Sequence, residues 1–267
     1  MPELPEVETI RRQLAPLVVG RSLCEGWAFP HDKFTPALDA VGARVEAVDR
    51  RGKYLLLELD DDRDLIVHLG MTGSLRLRPP GDRGDAYVRA WWTLDEPEGS
   101  VLEYRDVRRF GRLAVCRRGC YAGTLAVQGP DALDPTLTGD DLWDALRRSR
   151  RAVKTQLLSQ RPVAGVGNIY ADEALWRAGV HPAARAVTRE QATALLVAVR
   201  AVLHQAIGNG GTTLRDYRTV DGARGRNQGH LDVYGRAGEP CTRCGTALRS
   251  CVLDGRTTTW CPTCQPG

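Results

Sequence analysis

The six residues at the start of the chain, Met1 to Glu6, include the groups that covalent catalysis through an amine requires. Removal of the initiator methionine, which normally occurs before a small second residue, exposes the secondary amine of Pro2. An α-amino group has a pKa near ~8, so a useful fraction is unprotonated at neutral pH. Its attack on an aldehyde-like carbon yields a charged iminium, which acidifies the neighbouring carbon for elimination. The acids Glu3 and Glu6 lie one residue and one helical turn away.

The same stretch also has the features of an ordinary helix start. A proline in the first turn and acidic residues near the N-terminus both favour a helix. Apolar residues follow at helical spacing before Gly20: Val7, Ile10, Leu14 and Leu17. This stretch alone therefore leaves open whether its residues react or only begin a helix.

The length and composition indicate a folded protein with more than one domain. At 267 residues the chain is long enough for two modest domains with their own cores. No apolar run approaches the ~20 residues of a membrane span, and the acidic N-terminus has no signal-peptide pattern. We therefore expect a cytosolic protein without a membrane partner. In that compartment the eight cysteines indicate metal binding or free thiols rather than disulfides.

Basic residues are concentrated in two runs, although the formal net charge is only +4. Residues 105–118 contain six arginines and one acid, and residues 147–161 contain six basic side chains and no acid. Two such runs favour nucleic acid over other partners. Only Lys33, Lys53 and Lys154 are lysines, so they are candidates for roles that need a compact ammonium able to lose its proton.

Residues 21 to about 118 have the alternation and turn signals of β-strands. Strands are predicted at residues 55–59, 65–69, 74–78, 87–94 and 100–104. A turn-rich stretch, residues 79–85, separates the third strand from the fourth. The expectation for residues 1–118 is an antiparallel sandwich or barrel-like domain with one helix at its start.

A change in composition separates this domain from the next. Residues 119–139 are rich in Gly, Pro, Asp and Thr, and we interpret them as a linker. Residues 140–233 then follow a helical period. At their centre a glycine turn, residues 163–167, precedes a new helix near Asn168. Backbone amides at such a helix start suit a phosphate, although Asn168 could also be a plain helix cap.

The last unit, residues 234–267, contains two CxxC pairs separated by sixteen residues. This spacing is typical of one tetrahedral zinc site with four thiolate ligands, here Cys241, Cys244, Cys261 and Cys264. Four thiolates leave no open position, so the zinc ion is expected to be structural. Between the pairs, Asp254-Gly255 predicts a tight hairpin turn. Arg256 lies at its tip, either as a functional group or as an ordinary solvated residue.

Six motifs together resemble the bacterial formamidopyrimidine-DNA glycosylases, the Fpg/MutM branch of the Fpg/Nei family. They occur in the family's order and cover nearly the whole chain: residues 2–9 (PELPEVET), 52–56 (GKYLL), 68–73 (HLGMTG), 108–111 (RRFG), 165–170 (GVGNIY) and the zinc hairpin. Leu4 in the first motif favours the Fpg branch over the Nei branch. The resemblance implies an α+β multidomain fold, with an N-terminal β-sandwich preceded by a helix, a helix-two-turns-helix domain and a zinc finger. It also implies damaged double-stranded DNA as the partner, held between the domains.

The resemblance further implies a role for each residue of the site. Pro2 attacks C1′ of the damaged nucleotide, expels the base and forms the iminium. Glu3 transfers protons during ring opening and release, and Glu6 helps to order the site. Lys53 acts in the elimination chemistry and on the phosphate. Elimination then cuts the strand on both sides of the sugar, and Arg256 grips a phosphate and assists the later step.

Other residues match the family's contacts with DNA. Met71, Arg108 and Phe110 correspond to a trio that fills the gap left by an everted base. Turning a base out of the duplex costs about a few kcal/mol. An apolar wedge in the gap, and an arginine that hydrogen-bonds the estranged base left without its pairing partner, offset this cost. Taken alone, Met71 and Phe110 could equally be core residues. Contacts with backbone phosphates, which fix register without reading sequence, are implied for Arg150, Lys154 and Asn168.

The chain departs from the family pattern in two places. Residues 221–229 (DGARGRNQG), where the family caps the everted base, lack the aromatic residue that often follows the glycine. Residues 83–88 lack the histidines associated with a phosphate contact. The first departure bears on the preference for 8-oxoguanine, and the second bears on affinity rather than on chemistry.

These features predict a monomeric, bifunctional glycosylase and AP lyase that excises oxidised purines in the bacterial cytosol or nucleoid. The nearest alternative is the same chemistry with a Nei-like preference for oxidised pyrimidines. An alternative from another class is a non-catalytic damaged-DNA-binding zinc-finger protein, although intact Pro2, Glu3 and Lys53 favour an enzyme. A ribosomal or transcription-factor zinc ribbon would explain the cysteines and leave the N-terminal motif unexplained.

Overall fold

Helix α1 (Leu4–Val18) begins the first unit, and its first turn carries its own capping groups. Glu3 is the N-cap, and Glu3 and Glu6 form a reciprocal capping box that satisfies amides without helical partners. Leu17, which the sequence pattern placed on the apolar face, is 40% exposed, because Val18 takes the buried position instead. The buried apolar face is Val7, Ile10, Leu14 and Val18.

The strands that follow α1 form two antiparallel sheets. The computed structural model describes residues 2–79, 81–82, 84–96 and 99–267. The strands of this domain are β1 (Leu23–Ala28), β2 (Val45–Arg51), β3 (Tyr54–Leu59), β4 (Arg63–His68), β5 (Gly73–Arg78), β6 (Val88–Leu94), β7 (Val101–Asp106) and β8 (Arg112–Arg117). The sheet orders are β1-β6-β7-β5 and β2-β3-β4-β8. The β-sandwich prediction is confirmed; in the turn-rich stretch 79–85, residues 80 and 83 lie outside the described residues.

One apolar core joins the inner faces of the two sheets. Its largest side chains are Phe34, Trp92 and Tyr104, all fully buried. Nε1 of Trp92 donates to the carbonyl oxygen of Ala37 at 3.1 Å, so the one polar atom of this indole is satisfied. Ala37 belongs to a 3-10 helix, Thr35–Ala40, that packs against β1 and β8. The core therefore fixes the strand ends from which the loops of the candidate site begin.

The rest of the chain is largely helical, as predicted. Its helices are α2 (Gly123–Val127), α3 (Gly139–Leu146), α4 (Val153–Leu158), α5 (Asn168–Ala178) and α6 (Arg189–Gly208). Helix α5 ends at Gly179, whose φ of +69° gives the left-handed C-cap that glycine adopts without strain. Within the described residues, α6 is one helix with the length and mean hydropathy (1.2) to cross a membrane. Half of it is buried in the protein, as in core helices of soluble proteins, so this is weak evidence for a span.

Between the two CxxC pairs, β9 (Arg249–Leu253) and β10 (Arg256–Trp260) form a hairpin in which Arg256 pairs with Leu253. Asp254 and Gly255 form its turn with φ values of 46° and 74°. A two-residue turn of type I′ requires this left-handed conformation at both positions. The predicted Asp-Gly hairpin turn is confirmed.

The chain divides into two compact units. The first combines Met1–Ala126 with Ile207–Gln228, and the second combines Val127–Ala206 with Gly229–Gly267. Residues 207–228 join the first unit because Tyr217 and Val220 belong to the sandwich core. The predicted boundaries at residues 118, 139 and 233 stay predictions. The segment interpreted as a linker contains α2, where the side chain of Leu125 is buried in a small apolar cluster.

Candidate active site and nucleic-acid interface

Pro2 and Glu3 lie directly before α1, and both are buried. The backbone amide of Glu3 donates to Oε2 of Glu6 at 2.8 Å. The other oxygen of Glu6, Oε1, accepts from the amide of Thr212 at 2.7 Å. Glu6 therefore uses both carboxylate oxygens to hold the N-terminal residues against the segment around Thr212.

Gly211 lets the chain pass close to Glu6. Its φ is +85°, and a Cβ atom there would lie 3.0 Å from Oε1 of Glu6 and 2.9 Å from the ring of Tyr217. The hydroxyl of Tyr217 donates to the carbonyl oxygen of Gly210 at 3.2 Å. Burial, and then the charge of Glu6, raises the pKa of this phenol. Tyr217 is therefore a neutral hydrogen-bond donor beside the carboxylate at any physiological pH.

The segment predicted to cap an everted base, residues 221–229, has an exposed tip and a buried base. Residues 221–224 are exposed, whereas Gly225 and Asn227 are buried. The amide of Gly225 donates to Oγ1 of Thr213 at 2.9 Å, and Nδ2 of Asn227 donates to Oγ1 of Thr212 at 3.0 Å. The capping segment is thus bonded to the same short stretch of chain that holds Glu6.

Lys53 lies in the turn between β2 and β3, directly after Gly52, whose φ is +60°. Its side chain is partly buried. Beside this turn, the rings of Tyr54 and His68 lie with their centroids 4.7 Å apart. Burial, followed by the positive charges of Lys53 and Arg112, lowers the pKa of His68 to about 4. His68 is therefore neutral at pH 7, and the positive charge of this region comes from Lys53 and Arg112.

The loops that follow β4 and β7, residues 69–72 and 107–111, are bonded to each other through one buried carboxylate. Oγ1 of Thr72 donates to Oδ1 of Asp106 at 2.5 Å. Oδ2 of Asp106 accepts from the amide of Gly111 at 2.8 Å. Asp106 is fully buried, so its two hydrogen bonds are shielded from water and fix the relative position of the two loops.

Glycines allow the two loops to touch. Gly70 has a φ of +61°, and a Cβ atom on it would lie 2.4 Å from the amide nitrogen of Gly111. A Cβ atom on Gly111 would lie 1.7 Å from the hydroxyl of Tyr104. No larger residue fits at either position without movement of the backbone or of the core tyrosine.

This contact brings the predicted trio together in one unit. Met71 is partly buried, Arg108 is exposed, and Phe110 is 51% exposed. The guanidinium carbon of Arg108 lies 4.8 Å from the centroid of the Phe110 ring, within the range of a cation–π contact. The alternative that Phe110 is a core residue is therefore wrong, since half of this large side chain faces solvent.

Four cysteine sulfur atoms converge in the second unit. Sγ of Cys241 lies 3.9 Å from Sγ of Cys264, and Sγ of Cys244 lies 3.4 Å from Sγ of Cys261. All four sulfurs lie within 4.8 Å of one another. A tetrahedral zinc ion with Zn–S bonds near 2.3 Å places its sulfurs about 3.8 Å apart. The four thiolates fit one zinc ion and complete its coordination, so the predicted structural zinc site is confirmed.

Helix α5 supports the metal site through two buried side chains. The carboxylate of Glu173 accepts from the three consecutive amides of residues 232–234 at 2.8–2.9 Å. Burial raises the pKa of Glu173, and these amide bonds act in the opposite direction. Nε1 of Trp176 donates to Sγ of Cys241 at 3.4 Å. The chain that leads into the first CxxC pair is therefore fixed to α5.

Lys154 lies beneath the hairpin and is only 1% exposed. Its Nζ is 2.6 Å from Oδ1 of Asp172, and it donates to the carbonyl oxygen of Thr257 at 3.0 Å and to Oγ1 of Thr258 at 2.9 Å. Oδ2 of Asp172 accepts from the amide of Thr259 at 3.0 Å. Burial raises the pKa of Asp172 to about 6, against the opposing effect of Lys154. This geometry makes Lys154 a support of the hairpin, and its phosphate contact stays a prediction.

Arg256 is exposed at the start of β10, on a hairpin that other side chains hold in place. The hydroxyl of Thr155 donates to the carboxylate of Asp254 at the tip. Nδ2 of Asn168 donates to the carbonyl oxygen of Thr257 at 3.1 Å. The sequence predicts the arginine at the tip, and the structure adds the supports on α4 and α5.

The remaining predicted phosphate contacts lie near the starts of α4 and α5. Asn168 is the first residue of α5, and the N-cap is Gly167, so the alternative of a plain asparagine cap is wrong. Arg150 is exposed in the basic run that precedes α4. Both positions follow the sequence prediction, and their contacts with DNA stay predictions.

Family models match the chain in three consecutive segments. The formamidopyrimidine-DNA glycosylase N-terminal domain matches residues 1–113. The formamidopyrimidine-DNA glycosylase H2TH domain matches residues 128–218, and a zinc finger found in FPG and IleRS matches residues 238–267. The chain belongs to the formamidopyrimidine-DNA glycosylase family.

Relatives in this family are similar to the chain over its full length. A formamidopyrimidine-DNA glycosylase of Thermomicrobium roseum is 44% identical to this chain, and the alignment covers 100% of this chain and 99% of the relative. The crystal structure of the MutM (Fpg) protein of Thermus thermophilus has a TM-score of 0.91 at 44% identity, covering 99% of this chain and 98% of that one. A Lactococcus lactis Fpg mutant in complex with a Fapy-dG containing DNA has a TM-score of 0.90 at 33% identity, with full coverage of both chains.

Membership of the formamidopyrimidine-DNA glycosylase family confirms the predicted helix-two-turns-helix domain and zinc finger. Sequence analysis missed the buried carboxylates that hold the candidate site: Glu8, Asp106, Asp172 and Glu173. A signal for two of them exists, because Asp172 and Glu173 are adjacent acids within the otherwise apolar sequence of α5. Acids in such a helix are seldom buried unless they are paired or hydrogen-bonded.

Proposed function

We propose that this protein is a bifunctional DNA glycosylase and AP lyase that excises oxidised purines from duplex DNA. The observation that carries the proposal is the full-length similarity to formamidopyrimidine-DNA glycosylases, including a solved complex with Fapy-dG containing DNA. The residues that the chemistry requires, Pro2, Glu3 and Lys53, are all present in this chain. A damage-binding protein without catalysis would have no need of them.

In the proposed reaction the nitrogen of Pro2 attacks C1′ of the damaged nucleotide. The bond between C1′ and the base nitrogen breaks, its electron pair leaves with the base, and the base takes up the proton that the Pro2 nitrogen loses. The lone pair of that nitrogen then forms the C=N bond as the C1′–O4′ bond breaks, and O4′ takes up a second proton, which leaves the iminium on Pro2. Glu3 lies next to the amine and is the group proposed to move these protons, while Glu6 holds both residues through its bonds to the Glu3 and Thr212 amides.

Strand cleavage then follows from the electron-withdrawing iminium. Loss of a proton from C2′ expels the 3′ phosphate, and a second elimination expels the 5′ phosphate. Lys53 is the cation proposed to act on the phosphate and in these eliminations. Arg256 is proposed to bind a phosphate and to assist the second elimination, and the supported hairpin limits the entropy lost when it does so.

Binding of the lesion requires that the base leave the helix and that the gap be filled. Met71 and Phe110 are the proposed apolar wedge, and Arg108 is the proposed partner of the estranged base. The exposure of Phe110 and its contact with Arg108 support this role. Arg150 and Asn168 are the proposed direct backbone-phosphate contacts, and Lys154 is proposed to act through the hairpin that it supports.

The lesion class is the part of the proposal that depends on residues 221–229. Their exposed tip carries Arg224 and no aromatic side chain, so base recognition must come from polar contacts or from the backbone. A Nei-like preference for oxidised pyrimidines is the alternative outcome. We further propose that the protein acts as a monomer in the cytoplasm, without a membrane partner, on damaged double-stranded DNA.

Borohydride trapping tests this function. The substrates are duplexes with 8-oxoguanine, a formamidopyrimidine or an abasic site opposite cytosine, and 5-hydroxycytosine opposite guanine. We expect covalent trapping on both purine lesions and on the abasic site, well above that on the pyrimidine. A reversed order of lesions would support the Nei-like alternative, and binding without any trapping would support the non-catalytic one. Pro2→Gly protein is the control. Its primary amine gives an imine without the permanent charge of the proline iminium, so trapping on all of these substrates should fall.

A further inference from the structure

Glu8 is a buried carboxylate on α1 that is bonded to three arginines. Its Oε1 accepts from Arg12 at 2.7 Å and from Arg11 at 2.9 Å. Its Oε2 accepts from Nε of Arg11 at 2.9 Å and from Nε of Arg50 at 3.0 Å. The Glu8 side chain is 7% exposed and that of Arg50 is 8% exposed. These arginines lower the pKa of Glu8 to about 2 against the opposing effect of burial, so the carboxylate is charged at working pH.

Arg50 extends this cluster from the helix to the turn that carries Lys53. Arg50 lies in β2. Its Nε donates to Glu8, and its Nη1 donates to the carbonyl oxygen of Gly52 at 3.1 Å. That carbonyl belongs to the peptide group whose nitrogen is the amide of Lys53. Gly52 has a φ of +60°, a conformation that glycine adopts without strain, and the Arg50 bond is one of the contacts that orient its carbonyl group. Rotation of that peptide would change the direction in which the Lys53 side chain leaves the chain.

The helix that carries Glu8 begins directly after Pro2 and Glu3. A single chain of hydrogen bonds therefore runs from α1 through Glu8 and Arg50 to the Lys53 turn. Arg11 adds a second link, because its Nη1 donates to the carbonyl oxygen of Val48 in β2 at 3.3 Å. Rigid elements joined in this way hold catalytic groups more closely than loops do.

We propose that Glu8 and Arg50 are positioning residues that hold Lys53 in register with the N-terminal amine. This inference rests on the proposed function, because Pro2 and Lys53 need a fixed relative position only if both take part in the proposed reaction. Neither residue touches substrate in this proposal; each acts through Lys53. An aspartate or glutamine at position 8 would not serve, because the first is too short and the second can accept only through one neutral oxygen.

A double-mutant cycle separates positioning from general support of the fold. Single-turnover strand cleavage at an abasic site, the step in which Lys53 is proposed to act, is measured with excess enzyme for the wild type, Glu8→Gln, Arg50→Lys, Lys53→Ala and the two corresponding double variants. Arg50→Lys keeps the positive charge beside Glu8 but cannot bond Glu8 and Gly52 at once in a fixed fork. Arg12→Gln is the matched control, because Arg12 bonds Glu8 without reaching the Lys53 turn.

We expect Glu8→Gln and Arg50→Lys to slow strand cleavage by about 10- to 100-fold, the size of effect that misplacement of a catalytic group by about 1 Å can produce. In the Lys53→Ala background the same changes should cost less than about 2-fold, because the group they position is gone. Affinity for an abasic-site analogue duplex should not change, and Arg12→Gln should stay within about 2-fold of the wild type.

Equal losses in both backgrounds would overturn the inference, since they would show that the two residues act on the fold rather than through Lys53. If Glu8→Gln does not fold, Arg50→Lys alone decides the cycle. A wild-type protein that excises no 8-oxoguanine and traps on no abasic site would instead refute the proposed function. The two failures are therefore distinguishable.

Discussion

Lys154 gives a sharp test of how the second unit is built, because a surface cation and a buried support respond differently to its removal. Lys154→Met keeps the length and apolar stem of the side chain while deleting the ammonium. At the observed Nζ–Oδ1 distance of 2.6 Å, two unit charges attract each other by roughly 6 kcal/mol at an effective dielectric constant near 20. Desolvation of both groups offsets much of this attraction.

The net cost of Lys154→Met is set by what it leaves behind. Asp172 would remain fully buried with its charge unpaired, which typically costs about 3–5 kcal/mol. Urea unfolding of the zinc-loaded protein should show a loss of this size at pH 8. Adding Asp172→Asn should restore much of it, because the amide oxygen can still accept from Thr259 and no charge is left unpaired.

The loss should also depend on pH in a defined direction. Burial already raises the pKa of Asp172 to about 6, above its ordinary value of 3.8, and removal of Lys154 raises it further. A folded-state pKa above the unfolded value means that the folded protein binds the extra proton, so stability increases as pH falls from the folded pKa towards 3.8. The deficit of Lys154→Met relative to the wild type should therefore be smaller at pH 5 than at pH 8.

DNA binding distinguishes this account from a direct phosphate contact. A lysine that neutralises one phosphate contributes about 0.9 to the slope of log K against log salt concentration. If Lys154 acts only as a support, Lys154→Met should leave this slope unchanged once the protein is fully folded. Unchanged stability together with a slope reduced by about one would refute the structural reasoning and establish the surface role.

Three further changes have outcomes that the structure fixes. The wild type should retain one equivalent of zinc through gel filtration, as measured by elemental analysis, and Cys244→Ser should lose it. The reason is that three thiolates and a hydroxyl bind zinc far more weakly than four thiolates do. A folded wild-type protein without zinc would contradict this prediction. Gly70→Ala should destabilise the protein by clearly more than the control Gly20→Ala, as measured by thermal or urea unfolding. Gly20 also has a positive φ, but a Cβ atom on it would have nothing within 4 Å. The control should therefore cost only the backbone strain of about 1–2 kcal/mol. Phe110→Ala should change the free energy of unfolding by less than about 1 kcal/mol, since the ring is half exposed. The same change should slow single-turnover lesion excision at least ~10-fold. Equal activity with and without the ring would show that Phe110 is not part of the proposed wedge.

Sequence reasoning succeeded where the chemistry is carried by short motifs. The four zinc ligands lie in two CxxC pairs, and the Asp-Gly turn that presents Arg256 is a local signal. Alternation in the apolar strands is also local, and it predicted the sandwich. The two cysteines of each pair, the two residues of the turn and the alternating residues of each strand lie within a few positions of one another, so these signals can be recognised in a single sequence.

Contacts between distant residues could not be predicted in the same way. Lys154 resembles a surface cation within a basic run, and only the fold brings Asp172 and residues 257–258 around it. Asp106 likewise joins two loops that begin from different sheets. Residues 207–228 read as part of the helical domain, but Tyr217 buries its ring in the sandwich core and carries the segment into the first unit.

The proposed chemistry depends on the nitrogen of Pro2 as the group that reacts with DNA. Peptide mapping of the borohydride-trapped complex by mass spectrometry identifies that group. After trapping on an abasic-site duplex and digestion of both polymers, we expect a sugar remnant on the peptide that begins at Pro2 and an unmodified peptide at Lys53. A remnant on Lys53, or on any other lysine, with an unmodified N-terminal peptide would show that Pro2 is not the nucleophile.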